Sequence, residues 1–126
     1  MNHEPIKMHQ SSEDYLEAIL MITKEKGTCR SVDVANKLGF RKSSVSVAMA
    51  KLAAEGFIEK KDSGELFLTE KGLAISTDIL ERHEFFMNWL MDMGVEESVA
   101  YEDACCMEHA MSADSFRKIK EFVKGK

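Results

Sequence analysis

Cys105, Glu108 and His109 stand at positions i, i+3 and i+4 in "AYEDACCMEHAMS", residues 100 to 112. On a helix that spacing puts a thiol, a carboxylate and an imidazole on one face. These are three ligand types for a divalent transition metal. Cys106 lies about 100° further round the helix and is expected to stay out of the set. Three ligands leave an ion incompletely coordinated, so other segments are expected to contribute. Asp14 and Glu17, three apart in "SSEDYLEAI", share one face of their own helix. His83 falls on an apolar stripe, where its ring needs a polar partner. Each residue also has a plainer reading. Asp14 could complete a capping box with Ser11, and Glu17 could face solvent. His83 could be a hydrogen-bonded core residue, and both cysteines could be small buried hydrophobes.

The elements that must position these groups are mostly helical. The 126 residues are 44% hydrophobic, with one proline and seven glycines, and helix formers dominate. "SSEDYLEAILMITKEKG" predicts a helix with Ser11 as N-cap, Tyr15, Ala18, Ile19 and Ile22 at helical spacing, and Gly27 as stop. "SVDVANKLG" predicts a short second helix opened by serine and closed by Gly39. "RKSSVSVAMAKLAAEG" predicts a third, with Val45, Met49, Leu52 and Ala53 on one face. "FIEKK" and "ELFLT" flank "DSG", a hairpin signal. A long helix over 70–94 follows, with Leu80, His83, Met87 and Leu90 on one stripe. A fifth helix is expected over 95–111 and a sixth from 112 on.

Helix, short helix, tight turn, helix, hairpin is the order of a winged helix-turn-helix. The fold expectation is therefore mainly α: a winged helix-turn-helix with a two-stranded wing over residues 1–72, then a helical dimerisation and metal-binding subdomain over 73–126. The third helix would be the recognition helix. Arg41, Lys42 and Lys51 can neutralise phosphates, and Ser43, Ser44 and Ser46 are short enough to reach phosphates or base edges. Lys60 and Lys61 fall at the hairpin tip, where a wing touches DNA. The plainer alternative is a solvated helix start with serine caps and a charged edge strand.

The net charge of −5 hides an asymmetry. Residues 30–61 carry seven Lys/Arg against three Asp/Glu, and residues 73–126 carry six against eleven. A basic segment joined to an acidic one suggests an anionic partner at one end and a cation at the other. No apolar run approaches the ~20 residues of a membrane span, and "MNHEPIKMHQ" has no apolar core for a signal peptide. A cytoplasmic protein with reduced thiols is expected, since three cysteines form no even framework.

At this point the chain resembles the diphtheria-toxin-repressor family of metal-dependent repressors, including its short manganese-transport-regulator branch. "SSEDYLEAI", "VDVANKLGFRKSSVSVAMAKLAAEGFIE", "LTEKG", "ERHEFF" and "DACCMEHAMS" look like family segments in family order, over nearly the whole chain. "AC-x-x-EH-x-MS" is the specific motif, whereas "LTEKG" is common in winged helices. The resemblance implies metal ligation by Asp14 and Glu17, acids of the manganese branch, and by His83, used in both branches. It also implies Cys105, Glu108 and His109, whose thiol is of the iron branch. Met87 and Tyr101 stand where the iron branch has a carboxylate and a histidine, so the resemblance does not extend to an iron-type second site and leaves a carboxylate-bridged pair of ions of the manganese type open. The SH3-like domain of longer members is expected to be missing.

The resulting expectation is a repressor that binds double-stranded operator DNA as a homodimer when Fe(II) or Mn(II) is bound, with Zn(II) or Co(II) able to bind in vitro. The dimer surface is expected along "FFMNWLMDM", through Phe85, Phe86, Trp89 and Met91, unless that run is intramolecular core. No membrane and no small organic substrate is expected. A metal-independent winged-helix factor and a redox sensor using Cys105 and Cys106 are the alternatives. Nearby acids raise a thiol's pKa, which disfavours the latter. A metal enzyme is disfavoured by the lack of "HExxH" and of an open ligand position.

Overall fold

The computed structural model describes residues 10–125. The polar segment read as lacking a signal peptide lies outside them, except Gln10. The described elements are α1 (Gln10–Lys26), α2 (Ser31–Leu38), α3 (Lys42–Ala54), β1 (Ile58–Lys60), β2 (Leu66–Leu68), α4 (Glu70–Asp92), α5 (Glu97–Met107) and α6 (Ala113–Lys124). No described helix is long and apolar enough to cross a membrane. The chain divides into two compact units, with the boundary between Thr77 and Asp78, inside α4.

The first unit is a winged helix-turn-helix. Leu16, Ile19 and Ile22 of α1, Val34 of α2, and Val45, Met49 and Leu52 of α3 are buried together with Ile58 and Leu66 of the two strands. Burying each such side chain fully contributes ~1.5–3 kcal/mol, so the helical stripes legible in the sequence are what hold the unit. Gly39 closes α2 in the left-handed region (φ 72), and its N–H donates to Ala35 O, giving the sharp turn into α3. The strands pair antiparallel, with Ile58 opposite Leu68 and Lys60 opposite Leu66.

"LTEKG" has a local physical cause. The Thr69 hydroxyl donates to Gly56 O at 2.7 Å and accepts from Gly72 N at 3.2 Å, capping α4. A Cβ at Gly72 would lie 2.0 Å from the Phe57 carbonyl oxygen, so only glycine lets α4 leave the wing this closely.

Two capping expectations are corrected. α1 already begins at Gln10, so Ser11 lies in its first turn rather than capping it, and the Ser11–Asp14 capping box falls away. α2 starts with Ser31 as its first helical residue. Its N-cap is Arg30, whose N–H donates to Asp33 Oδ2 at 2.9 Å. The acid three residues on does the capping work expected of the serine.

The second unit gathers the rest of α4 with α5 and α6 around Phe86, Ala104 and Phe116. The Phe116 ring lies 5.7 Å from that of Phe86 and 5.5 Å from that of Phe85, the latter edge-to-face. This corrects the expected dimer surface in part. Phe86 is 1% exposed and belongs to the core of its own unit, while Met91 is exposed. Helix five is also shorter than expected. It stops at Met107, with Glu108 as its C-cap, and α6 opens at Ser112, whose hydroxyl accepts from Ser115 N.

Candidate metal centre and nucleic-acid interface

α4 carries His83, and Cys105 of α5 and the C-cap residue Glu108 face it. His83 Nδ1 is 3.0 Å from Glu108 Oε1 and 3.8 Å from Cys105 Sγ. One ligand atom from each of these three residues lies within 4.8 Å of the other two. The other carboxylate oxygen, Glu108 Oε2, is 3.2 Å from His109 Nε2. Glu108 therefore sits between two imidazoles, one at each oxygen, and is fully buried. The Tyr101 ring packs edge-on to His83, with centroids 4.6 Å apart.

The helix-face argument for these candidate ligands holds only in part. Cys105 and Glu108 do converge as i, i+3 neighbours. His109 lies beyond the end of α5, and it reaches Glu108 through the turn, not along a helix face. Cys106 is exposed, whereas Cys105 is half-buried in the cluster. The third thiol, Cys29, is core. Burial, and then the nearby Asp33 charge, push its pKa up to about 12, so it stays a neutral thiol.

A fully buried carboxylate is costly unless charge or hydrogen bonds compensate it. Here the surroundings are two imidazoles and a thiol, donors that suit divalent transition ions. The residues present thus fit a metal. On α1 of the first unit, Asp14 is half-buried and Glu17 is 6% exposed. The reading of Glu17 as a solvent-facing acid is overturned by that burial.

Arg82 was not singled out from the sequence. It is buried, and its Nη1 donates to the carbonyl oxygens of Glu108 (3.2 Å) and Met111 (2.8 Å). Only its place beside His83 hinted at this, because carbonyl partners leave no mark in a sequence.

On the first unit, Arg41 is the N-cap residue of α3, and Lys42, Ser43, Ser44, Ser46 and Lys51 are all exposed along that helix. Lys60 and Lys61 are exposed at the end of β1. Lys61 meets Glu59 at 3.3 Å and lies 5.5 Å over the Phe67 ring. The Arg30 guanidinium hydrogen-bonds the Ser63 carbonyl at the hairpin turn, fixing the wing against the start of α2. Sequence reasoning also passed over Val47. It is 71% exposed among the serines of α3, and its place off the Val45–Met49–Leu52 stripe was the available signal.

Two family models match successive parts of the chain. "Iron dependent repressor, N-terminal DNA binding domain" matches residues 7–66, and "Iron dependent repressor, metal binding and dimerisation domain" matches residues 69–125. The HTH-type transcriptional regulator MntR of Bacillus pumilus is 35% identical over 114 residues, covering 90% of this chain and 79% of that protein. The transcriptional regulator MntR of Escherichia coli O6:H1 is 33% identical over 112 residues, 89% of this chain and 72% of that protein. Among solved structures, a manganese-dependent transcriptional repressor in complex with manganese superposes with a TM-score of 0.80 at 23% identity. That match covers 90% of this chain and 52% of the other, so the chain spans about half of that protein's length, and the likeness speaks for the fold. With matching models over both units and relatives at this identity, the chain belongs to the iron-dependent repressor family of metal-dependent transcriptional regulators and is not an enzyme.

Proposed function

We propose that this chain represses transcription by binding double-stranded operator DNA as a homodimer, in the cytoplasm, when Fe(II) or Mn(II) is bound. The observation that carries the reading is the Glu108 carboxylate, buried with one imidazole at each oxygen and the Cys105 thiol beside it. His83, Cys105, Glu108 and His109 would hold the ion from the second unit. Asp14 and Glu17 are the acids that α1 of the DNA-binding unit would add. A bound divalent cation supplies positive charge that offsets these carboxylates. Ligands drawn from both units would then restrict the motion of one against the other, and so set the spacing of two recognition helices for successive major grooves. Without the ion, the carboxylates repel and the units move independently. A coupling of ~1–3 kcal/mol changes DNA affinity roughly 5–150-fold. The relatives named as MntR transcriptional regulators, and the fold shared with a manganese-dependent repressor, are in keeping with this reading.

Carboxylates and imidazoles suit Mn(II) and Fe(II), and a thiolate shifts preference toward Fe(II), Co(II) or Zn(II). A small tetrahedral ion can be satisfied by His83, Cys105, Glu108 and one further group, leaving α1 unengaged. Fe(II) or Mn(II) should therefore activate DNA binding better than Zn(II) at equal site occupancy. The test is a DNA titration against random-sequence competitor with Mn(II), Fe(II) (anaerobically), Zn(II) and no metal in parallel. DNA binding equally strong with and without metal would leave a metal-independent winged-helix factor. Cys105→Glu should move the preference toward Mn(II), and an unchanged ranking would mean that Cys105 does not set the choice.

A further inference from the structure

Arg82 directly precedes His83 on α4 and is 6% exposed. A buried guanidinium requires its donors to be placed. Nη1 donates to the carbonyl oxygens of Glu108 and Met111, Nε lies 3.2 Å from Asp78 Oδ2 in an ion pair without hydrogen-bond geometry, and Cζ lies 5.3 Å from the Phe116 ring centroid. The two carbonyls bracket residues 108–111, the turn that carries Glu108 and His109. The last carbonyls of a helix have no intrahelical partner, and at the end of α5 this side chain supplies one. The helix that presents His83 thus also grips the segment that presents Glu108, which faces it, and His109, at the other oxygen of Glu108.

We propose that Arg82 is a positioning residue for the metal centre. By clamping both ends of the 108–111 turn to α4, it holds the Glu108 carboxylate where His83 can share a cation with it, and the His109 ring at that carboxylate's other oxygen. This rests on the metal reading above. Direct electrostatics runs the other way, since a guanidinium near a cation site repels the cation, and its removal would then tighten binding. The two effects predict opposite signs, which makes the assignment testable.

The experiment uses the full chain without DNA. Arg82→Met keeps the aliphatic stem but leaves both carbonyls without the guanidinium, and Arg82→Lys retains a charged donor. Lys120→Met is the control, because Lys120 Nζ also lies 5.3 Å from the Phe116 ring and pairs with Glu81. Circular dichroism reports the fold, hydrogen exchange of amides 109–112 reports the turn in metal-free protein, and Co(II) and Mn(II) titrations report affinity. Arg82→Met should keep native dichroism, exchange faster across 109–112, and bind Co(II) about 10–100-fold more weakly, as for other outer-shell partners of metal ligands. Arg82→Lys should recover part of this, and Lys120→Met should match the wild type. The proposal is overturned if Arg82→Met binds Co(II) as tightly as the wild type or tighter, or if Lys120→Met loses as much. A wild type that bound neither ion would sink the metal reading instead, and faster exchange in Arg82→Met would still show the clamp. Should Arg82→Met not fold, Arg82→Gln takes its place with the same expectations.

Discussion

Glu108 Oε1 stands 3.0 Å from His83 Nδ1, and both side chains are shut away from solvent. A carboxylate and an imidazole held this way, from residues 25 apart in sequence, form a pair that an ion can join. Glu108→Gln keeps the shape and removes the charge. It should weaken Mn(II) or Co(II) binding by more than the roughly 10–100-fold of an outer-shell change. Metal-free stability should move by no more than about 1 kcal/mol, because a buried charge is itself costly. Isothermal titration and thermal melts of the same preparation check both halves. Unchanged metal affinity would remove Glu108 from the centre.

The two neighbouring thiols should separate cleanly. Cys105 faces His83 and Cys106 is exposed. Cys105→Ala should abolish or strongly weaken metal activation of DNA binding, while Cys106→Ala leaves it nearly intact. A thiol reagent should label Cys106 first in the native protein and Cys29 only on unfolding, because Cys29 is buried and neutral. Equal effects of the two substitutions, or loss of activation on mild oxidation only when both thiols are present, would favour a redox sensor.

The wing should contribute charge and little sequence information. Replacing both Lys60 and Lys61 by alanine removes at most two phosphate contacts, so binding should weaken alike on all sequences. The salt slope should flatten by about two units at most. An unchanged slope would take the wing out of the interface. Lys61 is the better anchored of the two, between Glu59 and the Phe67 ring.

Asp33 links stability of the first unit to acid. The Lys26 ammonium, hydrogen-bonded at 2.8 Å, holds its carboxyl below the usual 3.8, and the Arg30 N–H adds to this. A pKa depressed by folding stabilises the folded state above the unfolded pKa, and that contribution is lost as pH falls through the folded value. Lys26 is solvent-exposed, so the pair is screened and Asp33→Asn should cost about 0.5–1 kcal/mol at neutral pH. The difference between mutant and wild type should vanish on acidification below the carboxylate range. Urea melts across pH decide this, and a constant difference would mean that the Lys26 charge plays no part.

Much of the fold was legible because it is written in local periodicity. The Val45–Met49–Leu52 stripe of α3, the hairpin around "DSG" and the order of helices before it need only neighbours within a few residues. The convergence of Cys105 with Glu108 was legible for the same reason.

What the sequence by itself determined was therefore the inventory: which helices and strands exist, which faces are apolar, and which side chains could bind an ion or a phosphate. Tertiary structure decided the rest through partners distant in the chain. α5 ends at Met107 with no glycine or proline to stop it, and Arg82, 26 residues earlier than Glu108, takes carbonyls of the turn that follows. That early stop moves His109 off the helix face and onto the second oxygen of Glu108. Phe86 turns inward because Phe116 of α6 meets it, which no periodicity within α4 could reveal. Spacing along one helix names candidate ligands, but the distance between them is set by hydrogen bonds and ring contacts from the neighbouring helices.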